Sequence, residues 1–578
     1  MTRLYLLLIY GLLLAACTPA PAIPSTETPA ALPSPSPSAT AAAAPPSLYI
    51  SPAVPDPLRD VSRDWGLPLA SDPSRATLSI GFHPGMEGVG SKWAYALVAP
   101  FPTVLDGVTS DELHAVWAGD STASYSKWPL LMDASTLEAF TELWGKPGIP
   151  VQVVAEDQLL DRAWSAMPSW SIIPFESIEP RWKVLTVDGQ SPLRKDFDLD
   201  TYKLTVFFTV ESSGRDAASL PLPASNRDPS RLATVIMTGT SSLVREIAYQ
   251  MEVKGLDYPG QAIGDLLRQA DLFHVSNEVA FDPACPPPNP DRNRFFCSDP
   301  RYIRLFDDVG VDIVELTGNH ILDNGAQSLL YTLDLYRQHH MAYFGGGADL
   351  AEAQKPLLET VNGNKLAFLG CDSGEPPKPD ATAYSPGANP CNFPLMISQI
   401  KDLRAQGVLP IVTFQYKEGY SPQVMPWQEV DFRRMADAGA VIVSGSQSHV
   451  PMKMEFDNGA FIHYGLGNLF FGQMGNQPPG PGLPLQPAER YEFLDRHVFY
   501  DGRYLGTELL TAMLEDYARP RPMTADERAA FLSDYFGYSG WLPLVPTPAP
   551  QQTPTRYPLL EFNPLPTHTP FPQSTSTP

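Results

Sequence analysis

The chain has 578 residues, 63 prolines and a formal net charge of −24 at pH 7. That length exceeds one ordinary core and implies two or more domains. The charge argues against nucleic acid and against an anionic membrane surface as main partners, because both would repel it.

At the amino end, Arg3 precedes an apolar run, Leu4 to Leu14, that is too short to span a bilayer. Leu14-Ala15-Ala16-Cys17 then reads as a lipobox, so residues 1–17 are expected to be a lipoprotein signal with Cys17 the lipidated residue. A plain signal peptide with a chance cysteine is the alternative. The lipobox places the remainder in an extracytoplasmic position, anchored to the cell membrane through lipid. Residues 18–46 are a Pro/Ala/Ser/Thr linker that buries too little apolar surface to offset its ordering entropy, and 544–578 repeat that composition. Both are expected to be disordered. The remaining cysteines, Cys285, Cys297, Cys371 and Cys391, are even in number, which suits disulfides in an oxidising space. Three pairings are open; two local loops, Cys285 with Cys297 and Cys371 with Cys391, are preferred. Zinc is the rival, but the spacings are long for a knuckle.

Two blocks lie between the tails. The first, 47–225, places strand-like runs at Thr77–Phe82, Ala94–Val98, Val151–Val154 and Tyr202–Val210. Helical patterns alternate with them. Thr109 and Glu112 form a capping box ahead of Leu113, Val116 and Trp117, and Leu137, Phe140, Leu143 and Trp144 have helical spacing. Alternation of this kind indicates an α/β domain. Ala99-Pro-Phe-Pro-Thr-Val104, Leu113-His-Ala-Val-Trp-Ala-Gly119, Ile172-Ile-Pro-Phe-Glu176 and Arg181-Trp-Lys-Val-Leu-Thr-Val-Asp-Gly189 are similar to stretches of phosphate-type periplasmic solute-binding proteins. The resemblance implies that fold class and carries no ligand residues. A spacer domain without a ligand is the alternative.

The second block, 230–520, repeats one device and is followed by a C-terminal extension, 521–543. Short apolar strands run into small and polar residues: Leu232–Met237 into Thr238-Gly239-Thr240, Asp271–Val275 into Ser276-Asn277-Glu278, and Val311–Leu316 into Thr317-Gly318-Asn319-His320. Lys365–Leu369 leads to Gly370-Cys371-Asp372 and Leu409–Phe414 to Gln415-Tyr416-Lys417. Ala440–Val443 leads to Ser444-Gly445-Ser446-Gln447-Ser448-His449, and Phe461–Tyr464 to Gly465-Leu466-Gly467-Asn468. Helical segments such as Gln327–Tyr336 and Asp431–Ala438 separate most of them. In α/β sheets ligands bind where strands end, so Glu278, Asn319, His320, Gln415, His449 and Asn468 are expected to converge. Singly, each histidine could be structural and Glu278 could cap a turn.

Asp271-Leu-Phe-His-Val-Ser-Asn-Glu278, Leu316-Thr-Gly-Asn-His-Ile-Leu-Asp-Asn-Gly325, Tyr343-Phe-Gly-Gly-Gly-Ala-Asp-Leu-Ala-Glu-Ala353, Ala438-Gly-Ala-Val-Ile-Val-Ser-Gly-Ser-Gln-Ser-His-Val450 and Ile462-His-Tyr-Gly-Leu-Gly-Asn-Leu-Phe470 resemble, in order and spacing, the CapA-type capsule-synthesis family known from poly-gamma-glutamate production. That resemblance implies a calcineurin-like metallophosphoesterase fold, layered sheets flanked by helices. It also exposes losses. Thr240 stands where the family has a metal-binding aspartate, Gln415-Tyr416-Lys417 replaces His-Trp-Gly, and Gly445-Ser446-Gln447-Ser448-His449 replaces Gly-His-His-Pro-His. Neutral hydroxyls and amides are weak ligands beside carboxylate and imidazole, and two-metal catalysis depends on the latter.

The resemblance carries catalytic roles onto His320 and Asn319, with Asp323 beside them. It makes Glu278, Asn319 and His449 the candidate ligands of one divalent metal, Mn, Fe or Zn, with no metal if the site is degenerate. Thr240, Gln415, Gln447 and Asn468 are then candidate substrate-binding groups. Two readings stay open. One is a metal-dependent, phosphoesterase-like hydrolase acting on a polyanionic capsule or envelope polymer. The other is a non-catalytic surface lipoprotein that retains such a polymer or a small anion, with Arg245 and Lys417 as its cationic candidates.

Overall fold

The computed structural model describes residues 46–82, 90–212, 220–288, 296–374, 378–472 and 487–543. Cys17 with its lipobox, the linker up to residue 45 and the tail from 544 lie outside the described residues. In the first block the long strand Gly90–Pro100 is the organising element. It pairs antiparallel with Thr205–Ser212 through its first half and with Trp170–Pro174 and Trp182–Val187 through its second. The helices Ser110–Trp117, Ala134–Trp144 and Glu156–Ser165 accompany this sheet. The capping box of the first is formed as expected, with the Thr109 side chain and Glu112 each accepting the other's backbone N–H. The block is thus α/β.

In the second block, β1 (Leu232–Ser241), β2 (Leu272–Asn277), β3 (Ile313–Glu315) and β4 (Ala342–Phe344) run parallel. A second sheet contains β5 (Leu357–Val361), β6 (Asn364–Asp372), β7 (Leu409–Gln415), β8 (Ile442–Ser446), β9 (Met454–Asp457) and β10 (Ala460–His463). Its order is β5-β6-β7-β8-β10-β9. The first sheet is completed by three antiparallel strands, β11 (Tyr491–Tyr500), β12 (Arg503–Glu515) and β13 (Arg519–Pro522), giving β4-β3-β2-β1-β11-β12-β13. Four helices concern the argument below: α1 (Arg245–Lys254), α2 (Ala326–Gln338), α3 (Phe393–Ala405) and α4 (Pro426–Ala438).

The alternation of apolar residues decides the layers. Val235 and Met237 of β1, Phe368 of β6 and Ile411 of β7 share one buried core between the sheets. Ile236 of β1 faces the other way, into a core with Leu329 and Leu333 of α2. Val412 of β7 does the same toward Ile400 of α3 and Phe432 of α4. Helix, sheet, sheet, helix is the layered architecture the calcineurin-like resemblance implies. A further helix, α5 (Ala525–Tyr538), adds Phe531, Leu532, Tyr535 and Phe536 to the inter-sheet core. Phe101 of the first block enters that same core, edge-on to Phe456 at 5.0 Å between centroids. Cys285 is bonded to Cys297 and Cys371 to Cys391, the pairing preferred from the sequence.

Candidate functional site

Two glycines bring the strand ends close enough to form a site. A Cβ on Gly239 would lie 2.1 Å from the carbonyl oxygen of Gly467, so only glycine lets the end of β1 meet the 465–471 loop. There the Thr240 N–H donates to Gly467 O at 3.0 Å, and the Leu469 N–H donates to Thr240 O at 2.9 Å. At the end of β3, a Cβ on Gly318 would lie 2.5 Å from the Cα of Glu278. The Asn319-His320 turn therefore rests directly on the backbone that carries Glu278.

One half of the site is an uncharged network. Gln415 donates through Nε2 to Asn319 Oδ1 at 3.3 Å and to Gln447 Oε1, while its own Oε1 accepts from Ser446 Oγ at 2.8 Å. The Gln447 N–H donates to Thr240 Oγ1 at 3.2 Å. Gln447 and His449 are held at φ 74° and 54°, a left-handed conformation that side-chain-bearing residues adopt only where the surroundings impose it. The residues replacing the family's ligands thus satisfy one another.

The other half is charged and aromatic. Glu278 is buried, and neither of its carboxylate oxygens has a hydrogen-bond partner among the described residues. Arg245, the first residue of α1, carries a buried Nε that makes no hydrogen bond among the described residues. Burial lowers its pKa, opposed by the negative charge of Glu278. Its guanidinium lies 4.2 Å above the ring of Phe296 and 5.7 Å from that of Phe471. His320 stacks on the same Phe296 ring at 4.0 Å and 4°, and its Nδ1 is 2.7 Å from Asp323 Oδ2. Burial disfavours the imidazolium, but the Asp323 hydrogen bond and the charges of Glu278 and Asp323 outweigh it, so the pKa is raised. His449 closes the cleft. Its Nδ1 meets Asn468 Oδ1 at 2.9 Å, its ring is 5.3 Å from Phe471, and Tyr420 stacks over it at 6.0 Å.

Nine of the site residues read from the sequence lie at the strand ends, in two groups. Thr240, Asn319, Gln415 and Gln447 form the neutral group, whereas Glu278, His320, Asp323, His449 and Asn468 line the charged cleft. Lys417 points elsewhere, over the ring of Trp427 at 5.6 Å. Phe296, Phe471 and Tyr420 were missed. No local pattern marks Phe296, which directly precedes the disulfide-bonded Cys297.

The donor set can be tested against the metal the resemblance implies. Among the described residues no group of three or more His, Cys, Asp or Glu side chains is placed to share an ion. Of the three candidate ligands, Glu278 is a lone carboxylate facing a guanidinium and Asn319 Oδ1 already accepts from Gln415. His449 adds one imidazole, with Nδ1 engaged. One carboxylate, one amide and one imidazole do not make the anionic two-metal centre that phosphoester hydrolysis uses. Of the three, only Glu278 and the second nitrogen of His449 keep donors unengaged by the hydrogen bonds above for the single divalent ion expected from the sequence.

Residues 234–473 match the family model described as bacterial capsule synthesis protein PGA_cap. The capsule biosynthesis protein CapA of Bacillus anthracis is 24% identical over 257 residues, 43% of this chain and 62% of that one. This chain thus spans less than two thirds of that curated relative. Among solved structures, the calcineurin-like phosphoesterase YfkN of Bacillus subtilis is 12% identical with a TM-score of 0.31, over 52% of this chain and 96% of that one. An ABC-type phosphate transport receptor of Vibrio cholerae is 11% identical with a TM-score of 0.26, over 30% and 88%. At those scores neither likeness bears on function.

Proposed function

From a chain whose residues 234–473 match the bacterial capsule synthesis proteins, we propose an accessory protein of capsule polymer synthesis whose cleft holds an acidic polyamide, such as poly-gamma-glutamate, without cutting it. One observation carries this: Arg245 and His320, both cationic donors, lie against Phe296 beside a Glu278 whose two oxygens are unpartnered among the described residues. An acidic polyamide presents carboxylates and amide N–H groups in alternation. Arg245 and protonated His320 bind the carboxylate through charge-assisted hydrogen bonds, and Glu278 accepts the amide N–H. The neutral Thr240-Gln415-Gln447-Asn319 group supplies the adjoining wall.

Attachment outside the cell through a lipid on Cys17 belongs to the same proposal. The lipobox and the even set of disulfide-forming cysteines support it. A retention protein needs such a tether to keep the polymer at the envelope.

The hydrolase reading keeps one point in its favour, the His320–Asp323 pair, which can deliver a proton to a leaving group. The experiment that separates the two is titration of the full chain with poly-gamma-glutamate, followed by sizing of the recovered polymer. Saturable, salt-weakened binding with unchanged polymer length supports retention. Shortened polymer supports hydrolysis, and no binding overturns both the ligand and the site.

A further inference from the structure

A second cavity, sharing no lining residue with the strand-end cleft, lies where the two blocks meet. It encloses about 290 Å³, at the small end of the range for small-molecule sites. Trp182 and Leu193 of the first block wall one side, and Leu509 of β12 with Leu532 and Phe536 of α5 wall the other. Such a volume admits a compact organic molecule and excludes a polymer.

The charges around it do not balance. Lys183 donates to Asp106 Oδ1 at 2.8 Å and to the carbonyl of Thr103 at 2.6 Å. Arg528 takes both oxygens of the same Asp106, at 2.7 and 2.9 Å. Two cations thus share one carboxylate. On the other side Glu508 accepts from Arg496 Nε at 2.7 Å, and Arg194 Nε lies 3.6 Å from its other oxygen. That Arg194 Nε is buried and makes no hydrogen bond among the described residues. Burial of Lys183 lowers its pKa to about 8. The Arg194 side chain is otherwise about a third exposed, but a buried N–H left without a hydrogen-bond acceptor costs stability unless something else supplies one.

We propose that this inter-block cavity is a binding site for a small amphipathic monocarboxylate, its apolar tail between Trp182 and Leu532 and its carboxylate on Arg194. A planar carboxylate suits the guanidinium fork, and the apolar walls accept an alkyl chain. Because its walls come from both blocks, the ligand ties them together.

The test is calorimetric titration of the full chain with octanoate, with 1-octanol and octylamine as neutral and cationic probes of the same tail. Octanoate is expected to bind one per chain, at least about tenfold more tightly than octanol, and octylamine weakest. Arg194→Met should lose about tenfold in octanoate affinity while octanol binding stays, which also shows that the cavity survives the substitution. Leu509→Trp, filling the cavity from the other side, should abolish binding of both. No saturable octanoate binding, or equal octanoate affinity in parent and Arg194→Met, overturns the proposal.

Discussion

The ring of Phe296 lies parallel to the imidazole of His320, 4.0 Å away and tilted by 4°. Phe296 also carries the Arg245 guanidinium on its π system, and its neighbour Cys297 is bonded to Cys285. The disulfide therefore acts on the cleft through one aromatic ring. Replacing both cysteines by serine should release Phe296, lower polymer affinity several-fold and leave the core intact. Titration calorimetry beside a thermal melt reads both effects; unchanged affinity would remove Phe296 from the site.

Arg245→Ala should weaken polymer binding by about tenfold, the value of one charge-assisted hydrogen bond. The slope of affinity against salt should also fall. Glu278→Gln keeps an acceptor and should be mild, whereas Glu278→Leu should not.

The raised pKa of His320 fixes a pH dependence. Its charge persists above the ordinary histidine value and is lost as pH rises through the raised one. Affinity for an anionic polymer should fall over that window. Asp323→Asn removes the nearby charge and leaves only a weaker neutral acceptor for the ring, so the same fall should occur at lower pH. Affinity measured from pH 5 to 9 in both proteins checks this.

Between the sheets His274 and His497 are buried, and burial above all lowers their pKa values, to about 3 and about 4. An unfolded chain protonates such residues near pH 6.5. Their contribution to stability is present above that value and is lost as pH falls toward 4. The melting temperature should drop across that range, and less steeply in His497→Phe. A flat profile in the parent protein would contradict the buried neutral state.

Phe101 is 2% exposed and packs against Phe456, Phe461, Phe536 and Trp541. Phe101→Ala should cost about 3–5 kcal/mol, read by denaturant unfolding. If the first block unfolded separately in this variant, the ring would be identified as the tie between the blocks.

The parallel strands β1, β2, β3, β6, β7, β8 and β10 were legible because each is an apolar run ended by small polar residues, whereas β4 was not read. Thr77–Phe82 and Tyr202–Val210 in the first block were legible from their β-branched and aromatic residues. The helical segment expected over Gln327–Tyr336 is found as α2, with Leu329, Leu333 and Tyr336 buried. The antiparallel strands β11 and β12 were not read. Strand β11 carries Glu492, Asp495 and His497, which are buried and break the apolar signal a strand normally gives. At the site, the strand-end residues were readable and their division into two groups was not. That division depends on Gln415 choosing Asn319 and Gln447 as partners, a tertiary matter. Arg245 was visible as a cation, but its placement rests on Phe296 and Phe471, which come from distant loops.

Strand β1 lies in the middle of its sheet, with β2 on one side and β11 on the other, and Thr234 is opposite Val498. The first neighbour follows β1 closely in the chain, but the second emerges only after both sheets' parallel strands have been made. Until then one edge of β1 has its peptide groups unpaired and its apolar faces half covered. Such an edge is a template for pairing with the wrong chain. Truncation ahead of residue 491 should therefore yield aggregates rather than a smaller working protein.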